Sequence, residues 1–374
     1  MNYLKQILKG DKMNQRKIIK SEEQELSHIQ EYRGFYKNMV IGKIVVALLI
    51  LISLAGLLIL DIATGPASIL FSKVFSTIFY PQQQSEQIIQ IIWKIRLPIA
   101  IMAVLVGASL GIAGAEMQTI LDNPLASPYT LGISSAASFG AALGILMEGK
   151  SIIPVSEYLI IPVNAFIFSM IACFFVYSIA KLKSGASSTI VLAGVAINLL
   201  FNSLVSFLQY SAADTQLSSI VFWMFGSLQS ATWTKVLILI VVLCLSVPIF
   251  IIDSWKLTAL KLGDTRAKGM GINVEKLRLK TLILVSIITA VSVCFVGTIG
   301  FIGLAAPHIA RSFVGEDQRF YLPTSALAGA LILSFSSVLS KNLIPGTIFP
   351  VGITTSFIGI PFLLSIILRE RKVY

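Results

Sequence analysis

Charge, histidine and cysteine are all scarce in this chain of 374 residues. Charged side chains make up 13% of it, about half the share usual in a soluble domain. Lipid removes the need for a polar outer face, so the shortage argues for a bilayer rather than for a large water-soluble core. Two histidines, His28 and His308, are too few for a histidine-rich metal site, and no metal site is expected. Cys173, Cys244 and Cys294 lie singly in apolar runs without a CxxC, which excludes a disulfide scaffold and a cysteine redox pair. No Gly-Lys-Ser/Thr opens a helix. Gly263-Asp-Thr-Arg-Ala-Lys-Gly269 offers glycines and a lysine, but not the spacing of a phosphate-cradling P-loop. An HExxH is also missing and no nucleophile elbow is read, so no enzyme chemistry is expected of this chain.

What the sequence has instead is apolar length: 56% of the residues are hydrophobic and the mean hydropathy is +0.85. A helix needs about 20 apolar residues to cross a bilayer. Runs that meet or approach this length predict spans near 39–60, 97–117, 130–147, 159–180 and 189–210. Further spans are predicted near 236–252, 281–296, 297–313, 322–339 and 351–368, the eighth shorter and interrupted by Pro307-His308. The expected fold class is an all-α integral membrane protein with about ten transmembrane helices. Residues 1–38 form a polar N-terminal extension with no short apolar core and cleavage site of a signal peptide, and 39–374 form the membrane domain.

The net charge of +11 follows the ends of the spans and forms no face interleaved with aromatics, which disfavours a nucleic-acid surface. Placing both termini in the cytoplasm puts 23 of the 29 lysines and arginines on that side. Lys73, Lys94, Arg96, Lys150, Lys235 and Lys341 remain outside. The cytoplasmic loop at about 254–280 is conspicuously basic. Within it, Leu262 to Asn273 reads as a short helix capped by glycine and followed by a turn. Composition alone favours a membrane-surface anchor there, with a docking element for another protein as the alternative.

Small residues recur at packing distance in Gly107, Gly111 and Gly114, in Gly140 and Gly144, and in Gly297, Gly300 and Gly303, predicting close helix crossings. Glu116 is the main acidic residue set within a span. Intramembrane acids are costly and often functional, so an ion-coupled secondary transporter using Glu116 is the rival reading.

Several ordered segments together resemble a known family. They are Ile95-Arg-Leu-Pro98, Gly114-Ala-Glu-Met-Gln118, Asn123-Pro-Leu-Ala126, Leu131-Gly-Ile-Ser134, Leu192-Ala-Gly-Val-Ala196 and Leu262-Gly-Asp264 through Gly271-Ile-Asn273. Gly300-Phe-Ile-Gly-Leu304, Pro307-His-Ile-Ala-Arg311, Pro350-Val-Gly-Ile353 and Gly359-Ile-Pro361 complete the set. The chain resembles, from about Ile91 to Arg369, the FecCD-type permeases of ATP-binding-cassette importers for iron–siderophores, haem and vitamin B12. Ile99 and Ile348 depart from charged positions common in that family.

The resemblance implies a bacterial plasma-membrane permease that pairs with a second permease subunit, a cytoplasmic ATPase dimer and an extracytoplasmic binding protein. It implies that this chain binds no cofactor, ATP and magnesium being used by the partner ATPase. The loop residues Leu262, Gly263, Asp264, Arg266, Ala267, Lys268, Gly271 and Ile272 are then candidates for coupling to the ATPase. Arg96 and Lys341 resemble basic positions that dock the binding protein, with Lys94 compensating for Ile99. The fifth and tenth helices would line the path, through Asn198, Asn202, Ser206 and Gln209 on one stripe and Thr354 and Thr355 on the other helix. Hydrogen bonding between helices explains the first stripe equally well.

Overall fold

The computed structural model describes residues 2–66, 69–147, 159–183, 185–344 and 346–370, and for 2–32, 366, 367, 369 and 370 the backbone alone. Lys150 and the last basic residues, Arg371 and Lys372, fall outside them. By their contacts the residues divide into two units, Met1–Leu48 and Leu49–Tyr374. The first consists of part of one helix, α1 (Asn2–Ala63).

The second unit is wholly helical among the described residues. Its elements are the end of α1, then α2 (Phe71–Phe79), α3 (Glu86–Ile89), α4 (Leu97–Leu121), α5 (Ile133–Leu146), α6 (Ile160–Leu182) and α7 (Ser187–Ser211). They continue with α8 (Asp214–Met224), α9 (Trp233–Leu260), α10 (Asp264–Gly269), α11 (Val274–Val296), α12 (Ile302–Val314), α13 (Gln318–Asn342) and α14 (Val351–Glu370). Among the described residues 7 segments are long and apolar enough to span a membrane: Arg33–Ala63, Glu86–Leu121, α6, α7, α9, α11 and α13. α5 and Val351–Ser365 of α14 are shorter apolar helices, and α12 occupies the place of the expected eighth span. With them the ten expected helices are all present.

Two boundaries differ from expectation for physical reasons. Pro98 was expected to open a span, but the helix continues through it from Glu86. Proline lacks an N–H and its ring would strike the carbonyl four residues back, and the wider π-turn of Gln90–Arg96 relieves that conflict. α11 starts at Val274, seven residues ahead of the apolar run, because Asn273 caps it, accepting from the Lys276 N–H at 2.9 Å. α2 and α8 are helices where the sequence reads as mixed loop. On α2, Val74 and Thr77 are buried while Phe71, Phe75 and Phe79 stay exposed on the opposite face.

α4 and α11 form the interior of the bundle, with 72% and 78% of their apolar windows buried, against 28% for α9 and 33% for α7. Close crossing depends on missing side chains. A Cβ on Gly107 or Gly111 would overlap the main chain of α13 at Gly329 and Ser325, and one on Gly114 would overlap the carbonyl of Gly303 in α12. Gly140 meets Asn164 in the same way, whereas a Cβ on Gly300 would find open space. Gly297 ends α11 at φ 76, and a Cβ there would overlap the carbonyl of Trp223 in α8.

Hydroxyls buried in this interior bond back to their own helices, as Ser109 does to Leu105 O at 2.8 Å and Ser292 to Ile288 O at 2.7 Å. Gly107-Ala-Ser109-Leu-Gly111 has the letters of a nucleophile elbow, which the sequence reading passed over. Ser109 nevertheless sits in mid-helix, fully buried and already bonded.

Candidate functional site

α4 runs from Arg96 at one end of the bundle to Ile120 at the other, about 36 Å away at 1.5 Å per residue. The polar features separate between these two ends.

At the Ile120 end, α10 forms a short step between α9 and α11. Gly263 enters it at φ 96 and Gly271 leaves it at φ 80, both in the region that favours glycine. Ile272 N–H donates to Ala267 O at 3.1 Å and Gly271 N–H to Lys268 O at 2.9 Å, closing the helix in a Schellman motif. Its apolar members, Ala267 and Ile272, are buried against the bundle, while Leu262, Arg266, Lys268 and Met270 are exposed. Asp264, its side chain 45% exposed, turns toward α11. Its two oxygens accept from Arg278 NH1 and NH2, at 2.7 Å each. A cavity of about 450 Å³ lies beside this step, lined by Lys268, Gly271, Asn273 and Glu275 among others.

The same end carries further ion pairs. Buried Asp253 accepts from Lys256 at 2.7 Å and Lys280 at 2.5 Å, and Lys261 lies 3.2 Å from Asp122 and 3.4 Å from Glu316. Between α4, α12 and α13, Gln118 Oε1 accepts from Arg311 at 3.1 Å and from the Tyr321 hydroxyl at 3.3 Å. Glu116 is fully buried two residues earlier, and neither carboxylate oxygen has a hydrogen-bond partner among the described residues.

At the Arg96 end, two of the expected docking cations serve the chain itself. Arg96 NH1 donates to Ile62 O at 2.8 Å and Ala63 O at 2.9 Å, meeting carbonyls that the end of α1 leaves open. Lys341 Nζ donates to Asp61 Oδ1 and to Asp61 O, at 2.9 Å each, and Ser337 donates to the same carboxylate at 2.8 Å. Both cations are buried, whereas Lys94 is exposed on the π-turn. The nearby Trp233 ring N–H donates to Trp93 O at 2.8 Å.

The two stripes expected to line a path diverge. On α7, Asn202 and Ser206 are exposed and Asn198 and Gln209 half-buried. Asn202 donates to Asn198 Oδ1 at 3.2 Å, and Gln209 to Met224 Sδ at 3.5 Å. On α14, Thr354 and Thr355 are buried inside the subunit, bonded to Val351 O and Gly352 O at 2.8 Å each. It is Ser356 that reaches a cavity of about 440 Å³, which Ser134, Thr289, Thr298 and Phe301 also line. Phe301 takes φ 67 where the chain turns into α12.

Sequence reasoning missed Asp61, Asp253 and Arg278. Each is a charge beside or within an apolar run with an opposite charge elsewhere in the chain. That coincidence was the available signal.

A helical membrane subunit with no nucleotide-binding motif and a short helix projecting from one end is the build of a transport permease. The chain belongs to the FecCD transport family, whose family model matches residues 48–369. It is 37% identical over 349 residues, 92% of its length and 98% of the other's, to MJ0087 of Methanocaldococcus jannaschii, designated an ABC transporter permease protein. To the hemin transport system permease protein HmuU of Yersinia pestis it is 37% identical, covering 75% of this chain and 84% of that one. Among solved structures it superposes with TM-score 0.75 and 28% identity on an inward-facing protein described as a metal-chelate type ABC transporter. The match covers 87% of this chain and 99% of that one. Two of these relatives are designated permeases and the solved structure an ABC transporter, and none of the three is described as an ion-coupled secondary carrier.

Proposed function

We propose that this chain carries a ferric chelate, foremost an iron–siderophore, across the plasma membrane of a bacterial cell as the non-catalytic permease of an ATP-driven importer. The observation that carries the reading is α10. A helix of 6 residues and its flanking turns, pinned by Ala267 and Ile272, leave Leu262, Arg266, Lys268 and Met270 exposed among the described residues. An ATPase subunit that binds ATP and magnesium would seat on that face. The charge bias of the loops supports a cytoplasmic position for α10 and for both termini.

The polar stripe of α7, with Asn202 and Ser206 exposed, calls for a second permease subunit, because such a stripe is costly against lipid. A path between two such subunits would pass Asn198, Asn202, Ser206 and Gln209. On the opposite end, Lys94 has the exposure needed to orient a binding protein, while Arg96 and Lys341 would have to leave their present partners. The hemin permease among the relatives and the metal-chelate transporter among the structures support an iron-bearing cargo, with haem and vitamin B12 as the alternatives.

Reconstitution of the chain with a partner ATPase and a binding protein tests this reading. ATP-dependent uptake of ferric siderophore into proteoliposomes is expected. Hydrolysis of ATP by the purified chain alone, or uptake driven by a proton gradient without ATPase, would overturn it.

A further inference from the structure

We propose that Arg278 is the strut through which displacement of α10 reaches the membrane-embedded body, an inference that rests on the proposed ATP-driven function. α10 is attached to the bundle by two small apolar contacts, Ala267 and Ile272, and by one charged one, Asp264. The Asp264 carboxylate is gripped by both terminal nitrogens of a guanidinium whose side chain is 7% exposed. The same guanidinium donates through Nε to Ile120 O at 2.8 Å, and through NH1 to Gly185 O at 3.4 Å. One planar group therefore ties α10 to the last turn of α4, to the link between α6 and α7, and to its own helix α11.

The far side of this connection is rigid. The last turn of α4 also holds Gln118 against Arg311 and Tyr321, and Thr119 against Gln318 at 2.7 Å. One to two turns earlier, Gly111 and Gly114 lie on the main chains of α13 and α12, leaving no side chain to deform. Leu110 of α4 and Gly303 of α12, at these crossings, form part of the wall of the 440 Å³ cavity. A push on the outward face of α10 is thus passed by Asp264 and Arg278 to a stiff helix that borders an internal space.

Arginine suits this role because its fork grips a carboxylate with two parallel bonds while Nε points elsewhere. Lysine has a single nitrogen and cannot make both contacts in fixed geometry. Arg278 is a positioning residue, since it touches neither nucleotide nor cargo. The exposed Arg266 and Lys268 would set where the ATPase seats, and Arg278 would set what that seating moves.

The test uses the full transporter in proteoliposomes, with the wild-type complex beside Arg278→Lys and Arg278→Gln. Cargo taken up per ATP hydrolysed is the readout, with co-purification of the ATPase measured in parallel. Both variants are expected to keep the ATPase bound and hydrolysing, while uptake per ATP falls by about tenfold. If Arg278→Gln does not accumulate, Arg278→Lys, which keeps the buried charge, decides. Unchanged uptake per ATP in Arg278→Lys would overturn the proposal. So would loss of ATPase binding together with transport, which would make Arg278 only a clamp for the fold. Absence of ATP-driven uptake by the wild-type complex would instead refute the proposed function.

Discussion

Lys341 Nζ lies 2.9 Å from Asp61 Oδ1 and 2.9 Å from Asp61 O, joining α13 to the end of α1 across 280 positions of sequence. The two side chains are 4% and 1% exposed. Removing one partner strands the other in a site with little water, so Lys341→Met or Asp61→Leu should cost about 3–5 kcal/mol. The double variant should recover much of that loss. Thermal unfolding of detergent-solubilised protein, arranged as a double-mutant cycle, measures the coupling.

Gly271 and Gly269 give a matched pair at α10. Neither has an atom within 4 Å of where a Cβ would sit, but Gly271 alone has φ 80. Gly271→Val should therefore strain the backbone by about 1–2 kcal/mol without a clash, loosening the exit from α10. Gly269→Ala should be neutral. The expected difference is weaker ATPase co-purification for Gly271→Val with an unchanged elution profile of the permease.

Gly114 and Gly300 make the corresponding comparison inside the bundle. Gly114→Ala must push α12 away from α4, at a cost of about 1–3 kcal/mol, whereas Gly300→Ala meets nothing. Lower melting temperature and yield are expected for the first substitution and parental values for the second.

Glu116 is fully buried, and neither of its oxygens has a donor among the described residues. Glu116→Gln keeps the shape of the side chain and brings no charge into this site, so it should melt at or above the parental temperature. ATP-driven uptake should persist in that variant. Loss of uptake with intact ATPase binding would give Glu116 a part in transport.

Lys94→Glu should slow association with the binding protein, most strongly at low salt, since an exposed charge acts on encounter more than on the bound state. Arg96→Gln should instead lower thermal stability, because the carbonyls of Ile62 and Ala63 lose their donor. Stopped-flow binding and melting curves separate the two effects.

The sequence made the long spans legible because lipid-facing surface must be apolar along its whole length, which no local pairing can disguise. It concealed α2 and α8, which at 9 and 11 residues are too short to stand out as apolar runs. It gave the start of α4 at Leu97 but hid the helical lead-in from Glu86, since proline marks a boundary in most helices and the relieving π-turn has no residue signature. At the site, α10 could be read from its two glycines, but the turn of Asp264 toward α11 could not, because its partner Arg278 looks like one more basic residue of the loop. The rotation of α14 was equally hidden. Thr354 and Thr355 satisfy their hydroxyls on their own helix and so fit a buried face as readily as a wet one. Arg96 and Lys341 had no visible partners, since main-chain carbonyls and an aspartate hundreds of positions away leave no periodic trace.

The polar stripe of α7 has a bearing on how the protein must be made. Asn202 and Asn198 share one hydrogen bond on a surface that also carries Leu199 and Phe207, so a solitary subunit would drag unsatisfied polar groups through hydrocarbon. Such a subunit is an unfinished product in a bilayer, exposed to the quality-control proteases that remove orphan membrane chains. Its abundance should follow that of the partner that covers α7, whatever the rate of its own synthesis.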